Sequence, residues 1–436
     1  MRLVLEIEAL DAEGRGVARN AGKVVFVEGA ITGERVEARL LESKSKFDRA
    51  RVTAVLRPSA SRREPPCPQF GTCGGCATQH VDAPTQVAAK QRWLEDNLAR
   101  IGKLSGKDAP GAMLAPIHGA EWGYRHRARL SVRYVESKGG ALVGFRERKS
   151  TYVADMKDCM VLPPAVSALI PELRSLISRL SIRDRVPQVE IAVGEISTVL
   201  LFRHLLPFTA DDQALLREFA DANRVCVWLQ PEGPDSAQPF HPGAGEDLYY
   251  ALPEFGLKIA FKPADFTQVN PAVNRVLVSR AMRLLDPQPG ERVADLFCGI
   301  GNFSLPIAVR GAQVIGFEGS AELVKRGREN AAANGLVAQF EVADLFKPNL
   351  EHYGRFDKYL IDPPREGAAS LVHALPADWP RRIVYVSCDP ATLARDAEVL
   401  VHHKGFTLAA AGVVNMFPHT AHVESIALFE RNGASP

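Results

Sequence analysis

From about residue 265 onward the sequence alternates a short apolar run with a longer segment of helical spacing. The runs "RVADLF", "QVIGFE", "QFEVAD", "KYLID" and "RIVYVSC" are separated by segments such as "AELVKRGRENAAANG" and "PATLARDAEVLVHHKG". Strands alternating with helices predict a parallel sheet covered on both faces, an α/β architecture of Rossmann-like type. Asn270 followed by Pro271 reads as a helix cap and first turn, opening the segment "AVNRVLVSRAMRLL". In an open sheet of this kind ligands bind beyond the carboxyl ends of the strands, so the chemistry is sought there.

The first strand end carries "VADLFCGIGNFSLPIA", in which Gly299 and Gly301 let backbone approach a ligand closely before a helix begins. This is not the six-position dinucleotide fingerprint. Glu318 ends the next strand, about twenty residues after Asp295, where a carboxylate can accept both hydroxyls of a ribose. Asp344 ends the third. Acids at successive strand ends, without a Lys-Ser/Thr pair to cradle phosphates, fit S-adenosylmethionine better than ATP.

Two further strand ends carry reactive groups. "LIDPPRE" resembles the Asp-Pro-Pro-aromatic loop of amino-methyltransferases, but Arg365 stands where the aromatic would be, which argues against adenine N6 as the target. "VYVSCDPATLARD" puts Cys388 between a strand and a helix opening with Asp389-Pro390. The positive end of the helix dipole predicts a favoured thiolate there; a small buried thiol is the structural alternative.

The 436 residues allow two or three domains, and a composition of 46% hydrophobic and 24% charged residues fits a globular chain. The N-terminus lacks the apolar run of a secretory signal, and no eighteen-residue apolar stretch occurs; a cytoplasmic location without membrane insertion is expected. Short apolar runs separated by Gly-containing turns over the first sixty residues predict a five-stranded β-barrel. "RPSASRREPPCP" reads as a linker, 84–101 as a helix, and "RARLSVRYV" with "GALVGFRE" as a hairpin. The stretch to about residue 260 mixes strands and helices without a legible topology.

The net charge of +2 hides two basic stretches. Residues 39–63 hold eight Lys/Arg against Glu42 and Asp48, and residues 121–149 hold eight against three acids, interleaved with Trp122, Tyr124, Tyr134 and Phe145. Cations for phosphates and aromatic faces for unpaired bases suit RNA, although solvated surface strands would look similar. Seven cysteines, three of them in "CPQFGTCGGC", do not form a secreted disulfide framework and instead suggest metal binding or thiol chemistry. The spacing of Cys67, Cys73 and Cys76 leaves zinc and iron–sulfur equally open.

In order and spacing, "FTQVN", "DLFCGIGNFSLP", "DPPR", "VSCDPATLARD" and "FPHTAHVES" resemble the RNA uracil-C5 methyltransferase family. The barrel resembles that family's TRAM domain. The cysteine set resembles the iron–sulfur subgroup acting on 23S ribosomal RNA, so the likeness spans essentially the whole chain. It implies three domains: a TRAM barrel (1–60), a mixed α+β central domain with a [4Fe–4S] cluster (61–262) and an S-adenosylmethionine methyltransferase domain (263–436).

By residue-to-residue transfer the resemblance implies Cys388 as the nucleophile at uracil C6 and Glu424 as the base for the C5 proton. It implies cofactor contacts from Gln268, Phe297, Asn302, Glu318, Asp344 and Asp362, the last also orienting the uracil. Cys159 joins Cys67, Cys73 and Cys76 as cluster ligand, while Cys226 and Cys298, in apolar strand-like contexts, read as structural. Radical chemistry is disfavoured, because the cysteine spacing differs and a fourth thiolate closes the cluster. The expected partner is 23S rRNA, bound by a monomer; a tRNA uracil-C5 methyltransferase and a non-catalytic RNA-binding assembly factor are the alternatives.

Overall fold

The computed structural model describes residues 1–431. Its first sheet orders the strands Arg2–Glu6, Arg35–Ser43, Phe47–Arg57, Lys23–Glu28, Gly16–Asn20 and Ala9–Leu10. Inward-facing Leu5, Ala18, Val25, Val27, Val36, Ala38 and Ala50 alternate with less buried residues and form its core. The sheet has six strands rather than five because the first apolar run switches partners midway. Arg2–Glu6 pairs with Arg35–Ser43, after which Ile7 N donates to Glu34 O (2.8 Å) and Glu8 N donates to Val17 O (2.8 Å).

The middle of the chain forms a second six-stranded sheet, ordered Gln238–Pro239, Cys226–Gln230, Thr198–Arg203, Gln188–Val193, Arg127–Val135 and Gly140–Gly144. The expected hairpin is present, Val135 pairing with Gly140. The expected helix spans Ala83–Arg100, starting where the Asp82 side chain accepts from Thr85 N at 2.9 Å. Its buried residues Gln86, Lys90, Leu94, Asn97 and Leu98 share one face.

The C-terminal sheet carries the chemistry. We label its strands β1 (Arg292–Leu296), β2 (Gln313–Glu318), β3 (Gln339–Val342), β4 (Lys358–Ile361), β5 (Arg382–Ser387), β6 (Phe406–Val414) and β7 (Glu424–Arg431). Their order is 3-2-1-4-5-7-6, and Ala112–Met113 adds a short parallel strand beside β6. Strands β1 to β5 are parallel, and β7 runs antiparallel between β5 and β6. Leu296, Phe317, Leu360 and Val384 are fully buried by the helices on the two faces. At about 1.5–3 kcal/mol for each large side chain removed from water, this burial rather than local propensity holds the strands in place.

The Pro271–Leu285 helix begins as the sequence predicts, Asn270 Oδ1 accepting from Val273 N at 3.2 Å. No helix among the described residues is long and apolar enough to cross a membrane.

Candidate active site

The carboxyl ends of β1 to β5 form one rim, and most of the residues singled out in the sequence lie on it. β1 leads into Phe297, whose left-handed φ of 66° makes it an unusual position for an aromatic residue. Gly299 (φ 54°) and Gly301 (φ 100°) complete the turn, and the latter angle suits only glycine. Glu318, at the end of β2, accepts from Gly299 N through Oε2 (3.2 Å) and from Ser320 N through Oε1 (3.1 Å). The carboxylate is thereby aimed across the mouth of the glycine turn.

Asp295 in β1 is fully buried, and burial pushes its carboxyl up to about 7 against the opposing hydrogen bond from Ser304. Its Oδ1 has no partner among the described residues. A buried orphan acceptor beneath the turn leaves a place for a donor from a bound group. Asn302 Oδ1 accepts from Tyr250 OH (3.0 Å) and Asn274 Nδ2 (2.9 Å), and Asn302 Nδ2 donates back to Asn274 Oδ1 (3.2 Å). Gln268 lines a small recess with the same Tyr250 and Asn274, so Gln268 and Asn302 share one neighbourhood. Tyr250 and Asn274 belong to no motif by which the sequence singles them out.

Asp344 lies two residues beyond the end of β3 and is exposed rather than tucked into the rim. Its Oδ1 accepts from Phe346 N (3.0 Å), and the Phe346 ring meets Phe297 edge-on at 5.8 Å. Asp362 directly follows β4 and its N donates to Leu296 O (3.1 Å). Burial, then the charges of Glu424 and Asp295, hold its carboxyl well above the ordinary range.

Cys388 follows β5, and Glu424 opens β7. Ser387 pairs with Ser425 across the antiparallel ladder, so one step further along the register Glu424 stands opposite Cys388. Thirty-six residues of chain separate the two, yet the register makes them neighbours. Cys388 is half-buried, Glu424 is 5% exposed, and the Arg365 guanidinium faces both.

The electrostatics of the thiol differ from the sequence-based expectation. Asp389 caps the Pro390–His403 helix as predicted, accepting from Ala391 N at 2.8 Å. Burial nevertheless pushes Cys388 up to about 11, with Glu424 and Asp362 adding to the rise and Arg365 opposing it. Desolvation and two acids outweigh the helix terminus, so the resting group is a thiol. Burial likewise pushes Glu424 up to about 7 against the pull of Arg365 and Lys90.

Lys90 was missed in the sequence. Its Nζ donates to Asn415 Oδ1 (2.9 Å) and Phe417 O (2.8 Å) in the loop that leads to Glu424. The available signal was polar residues, Gln86, Lys90 and Asn97, on the same helix face as Leu94 and Leu98.

The cysteine loop packs close by. Cys67, Cys73 and Cys76 are partly buried and Cys159 is buried. Burial pushes Cys76 up to about 11 and Cys159 up to about 12, and the neighbouring thiols raise each of them further. The four thiols therefore share one electrostatic neighbourhood, although no three His, Cys, Asp or Glu side chains among the described residues surround a single-ion position. Cys226 begins a strand of the central sheet, whereas Cys298 sits in the turn after β1, buried, rather than in a strand. Beyond Cys76, Ala77 N and Thr78 N both donate to His419 O (2.7 and 3.1 Å). Arg125, Arg146, Arg148, Lys149 and Phe145 line an adjoining cleft of about 510 Å³ that reaches His422, two residues before Glu424.

The strand order, the glycine turn and the thiol–carboxylate pair on one rim define a methyltransferase of the doubly wound class, here preceded by a β-barrel. Family models agree: the tRNA (Uracil-5-)-methyltransferase family matches residues 338–432, a methyltransferase domain 293–362 and the TRAM domain 3–53. The 23S rRNA (uracil(1939)-C(5))-methyltransferase RlmD of Thiobacillus denitrificans is 61% identical, covering 99% of this chain and 100% of its own. That of Dechloromonas aromatica is 59% identical, covering 98% and 99%. The chain belongs to the 23S rRNA (uracil-C5)-methyltransferase family. The tRNA (uracil-54, C5)-methyltransferase of Pyrococcus abyssi, solved with S-adenosyl-L-homocysteine, shares the fold at 24% identity, with a TM-score of 0.76 over 98% of this chain and 99% of its own.

Proposed function

We propose that this chain methylates C5 of a uracil in 23S rRNA from S-adenosylmethionine, with Cys388 as nucleophile and Glu424 as base. The observation that carries this reading is their opposition across the ends of β5 and β7, on the rim that holds the glycine turn. Uracil C5 is a weak nucleophile. Addition of the Cys388 sulfur at C6 moves the C5=C6 electrons toward C5 and O4, giving an enolate.

Cys388 is half-exposed, so water can take the thiol proton before attack. Asp362, held protonated, donates to a uracil carbonyl as enolate charge develops. C5 then takes the sulfonium methyl, and the bonding electrons stay on the departing thioether sulfur. Glu424 removes the C5 proton, the double bond re-forms, and the C6–S bond breaks to release Cys388. Gln268, Phe297, Asn302, Glu318, Asp344 and Asp362 hold the methyl donor, Glu318 at the ribose.

Full-length identity of about 60% to 23S rRNA enzymes supports that RNA over tRNA as the substrate. The nucleotide matching the relatives' uracil 1939 is the proposed target of a monomer acting in the cytoplasm. Incubated with unmodified 23S rRNA and tRNA transcripts, the protein is expected to place 5-methyluridine in the rRNA alone, as read by mass spectrometry of nuclease fragments. Methylation of tRNA instead would overturn this assignment.

Residues 1–60, 61–262 and 263–436 divide the work into RNA binding, cluster support and catalysis. Cys67, Cys73, Cys76 and Cys159 would hold a [4Fe–4S] cluster. The burial of these thiols and the influence they exert on one another support their serving as one ligand set. Such a cluster would supply no electrons to this chemistry and would brace the loop beside the basic cleft. Anaerobically purified protein is expected to contain iron and acid-labile sulfide with broad visible absorbance, lost on Cys76→Ser. Zinc bound by the same thiols would contradict the assignment.

A further inference from the structure

Glu424 is faced by two cations, Arg365 from the loop after β4 and Lys90 from the Ala83–Arg100 helix, and by Asp362 and Cys388. Arg365 is exposed and also approaches His422 Nδ1 at 3.3 Å. Lys90 is 6% exposed. Its two acceptors, Asn415 Oδ1 and Phe417 O, belong to the loop joining β6 to Glu424.

One turn earlier, Gln86 Oε1 accepts from His419 N (2.8 Å) and Thr78 Oγ1 (3.2 Å), and Gln86 Nε2 donates to Val81 O (2.8 Å). Tyr124 OH donates to Pro418 O at 2.9 Å. The loop is thus already tied down by neutral donors at Pro418 and His419. Burying an ammonium as well costs more than burying a neutral amide donor. What the charge adds, and an amide would not, is a positive field at the neighbouring carboxylate.

We propose that Lys90 is a positioning residue for Glu424: its amine holds the 415–417 segment, and its positive charge keeps the carboxylate ionised until the C5 proton must leave. This rests on the Cys388 and Glu424 reading given above. Burial alone favours a protonated Glu424, which is far too weak a base to take that proton. Ionised Lys90 opposes burial, so its removal raises the Glu424 carboxyl further and moves the acid limb of the elimination step to higher pH.

Burial also lowers Lys90 itself to about 7, with Glu424 opposing that fall, so the amine's own titration belongs to the same limb and Lys90→Arg, which keeps the charge, separates the two. The histidines facing the pair do not produce this limb. Burial holds His419 down to about 4 and also lowers His422. Asp362 is common to all variants and is controlled by comparing them.

The test compares Lys90→Gln, which keeps a donor without the charge, with Lys90→Arg, which keeps the charge. Each is mixed with a uracil-containing 23S rRNA fragment and methyl-labelled cofactor in single turnover, and the denaturation-resistant protein–RNA complex is quantified against pH. Lys90→Gln is expected to accumulate methylated complex and to release product about fivefold more slowly at pH 7, because a carboxyl raised by about one unit from 7 is ionised in about a tenth of molecules instead of half. Raising the pH should restore the rate, and Lys90→Arg should stay near wild type.

On 5-fluorouracil RNA, which has no C5 proton, every variant should form adduct at the wild-type rate. A wild-type pH profile in Lys90→Gln would overturn the proposal. Equal defects in both variants without a pH shift would also overturn it, reducing Lys90 to a tether. If Glu424→Gln itself traps no complex, the reading of Glu424 fails first and is identified as the cause.

Discussion

Cys388→Ala is expected to lower methyl transfer to uracil by about 10⁴-fold or more, while binding of the methyl donor is unchanged. The effect is expected to be large because, among the described residues, Cys388 is the one cysteine at the end of a strand on this rim. Cys298 is buried beneath the glycine turn, and the cysteine loop contacts the catalytic loop through backbone donors of Ala77 and Thr78, not through its thiols. Glu318, Asn302 and Gln268 are contributed by other segments, so donor binding measured by calorimetry should survive. Residual activity within tenfold of wild type would show that C5 reaches the methyl group without covalent activation.

Glu424→Gln should behave differently, since it spares the first two bond-forming steps. Addition and methyl transfer proceed, the C5 proton stays, and the C6–S bond cannot break. A methylated, denaturation-resistant protein–RNA complex should accumulate, with turnover lowered by about 10²–10⁴-fold. The sign of the pH dependence follows from the same carboxyl. With Glu424 raised to about 7, the wild-type elimination rate should climb as pH rises through that value and flatten above it. In Glu424→Gln this limb should vanish. Free methylated product at the wild-type rate would remove Glu424 from the mechanism.

The catalytic sheet was legible because its strands are buried on both faces and read as continuous apolar runs such as "KYLI" between helical segments. Strand ends could therefore be located, and with them Glu318, Asp362 and Cys388. The meeting of Cys388 and Glu424 was only conditional in the sequence, since it needed β7 to run antiparallel beside β5. The thiol's protonation was not legible. A helix N-terminus is a local pattern, whereas the acids that overrule it come from the loop after β4 and from the start of β7.

Lys90 was hidden for a related reason. Its chain neighbours are ordinary helix formers, and its partners lie more than three hundred residues away. The central sheet resisted reading because its neighbours are out of chain order, with Arg127–Val135 beside Gln188–Val193 and irregular chain between. The first barrel run was read as one strand because the exchange of partners at Ile7 leaves the apolar alternation unbroken.

The central claim is a covalent bond between Cys388 and uracil C6, and it is tested most directly by trapping. With 5-fluorouridine in the 23S rRNA fragment and S-adenosylmethionine present, fluorine replaces the C5 proton whose loss the proposed mechanism requires, so the adduct is expected not to resolve. Peptide mass spectrometry after nuclease and protease digestion should find a methylated fluorouridine nucleotide on the peptide containing Cys388 and on no other. Recovery of unmodified Cys388 from protein that methylates ordinary uracil at full rate, or attachment at another residue, would contradict the account.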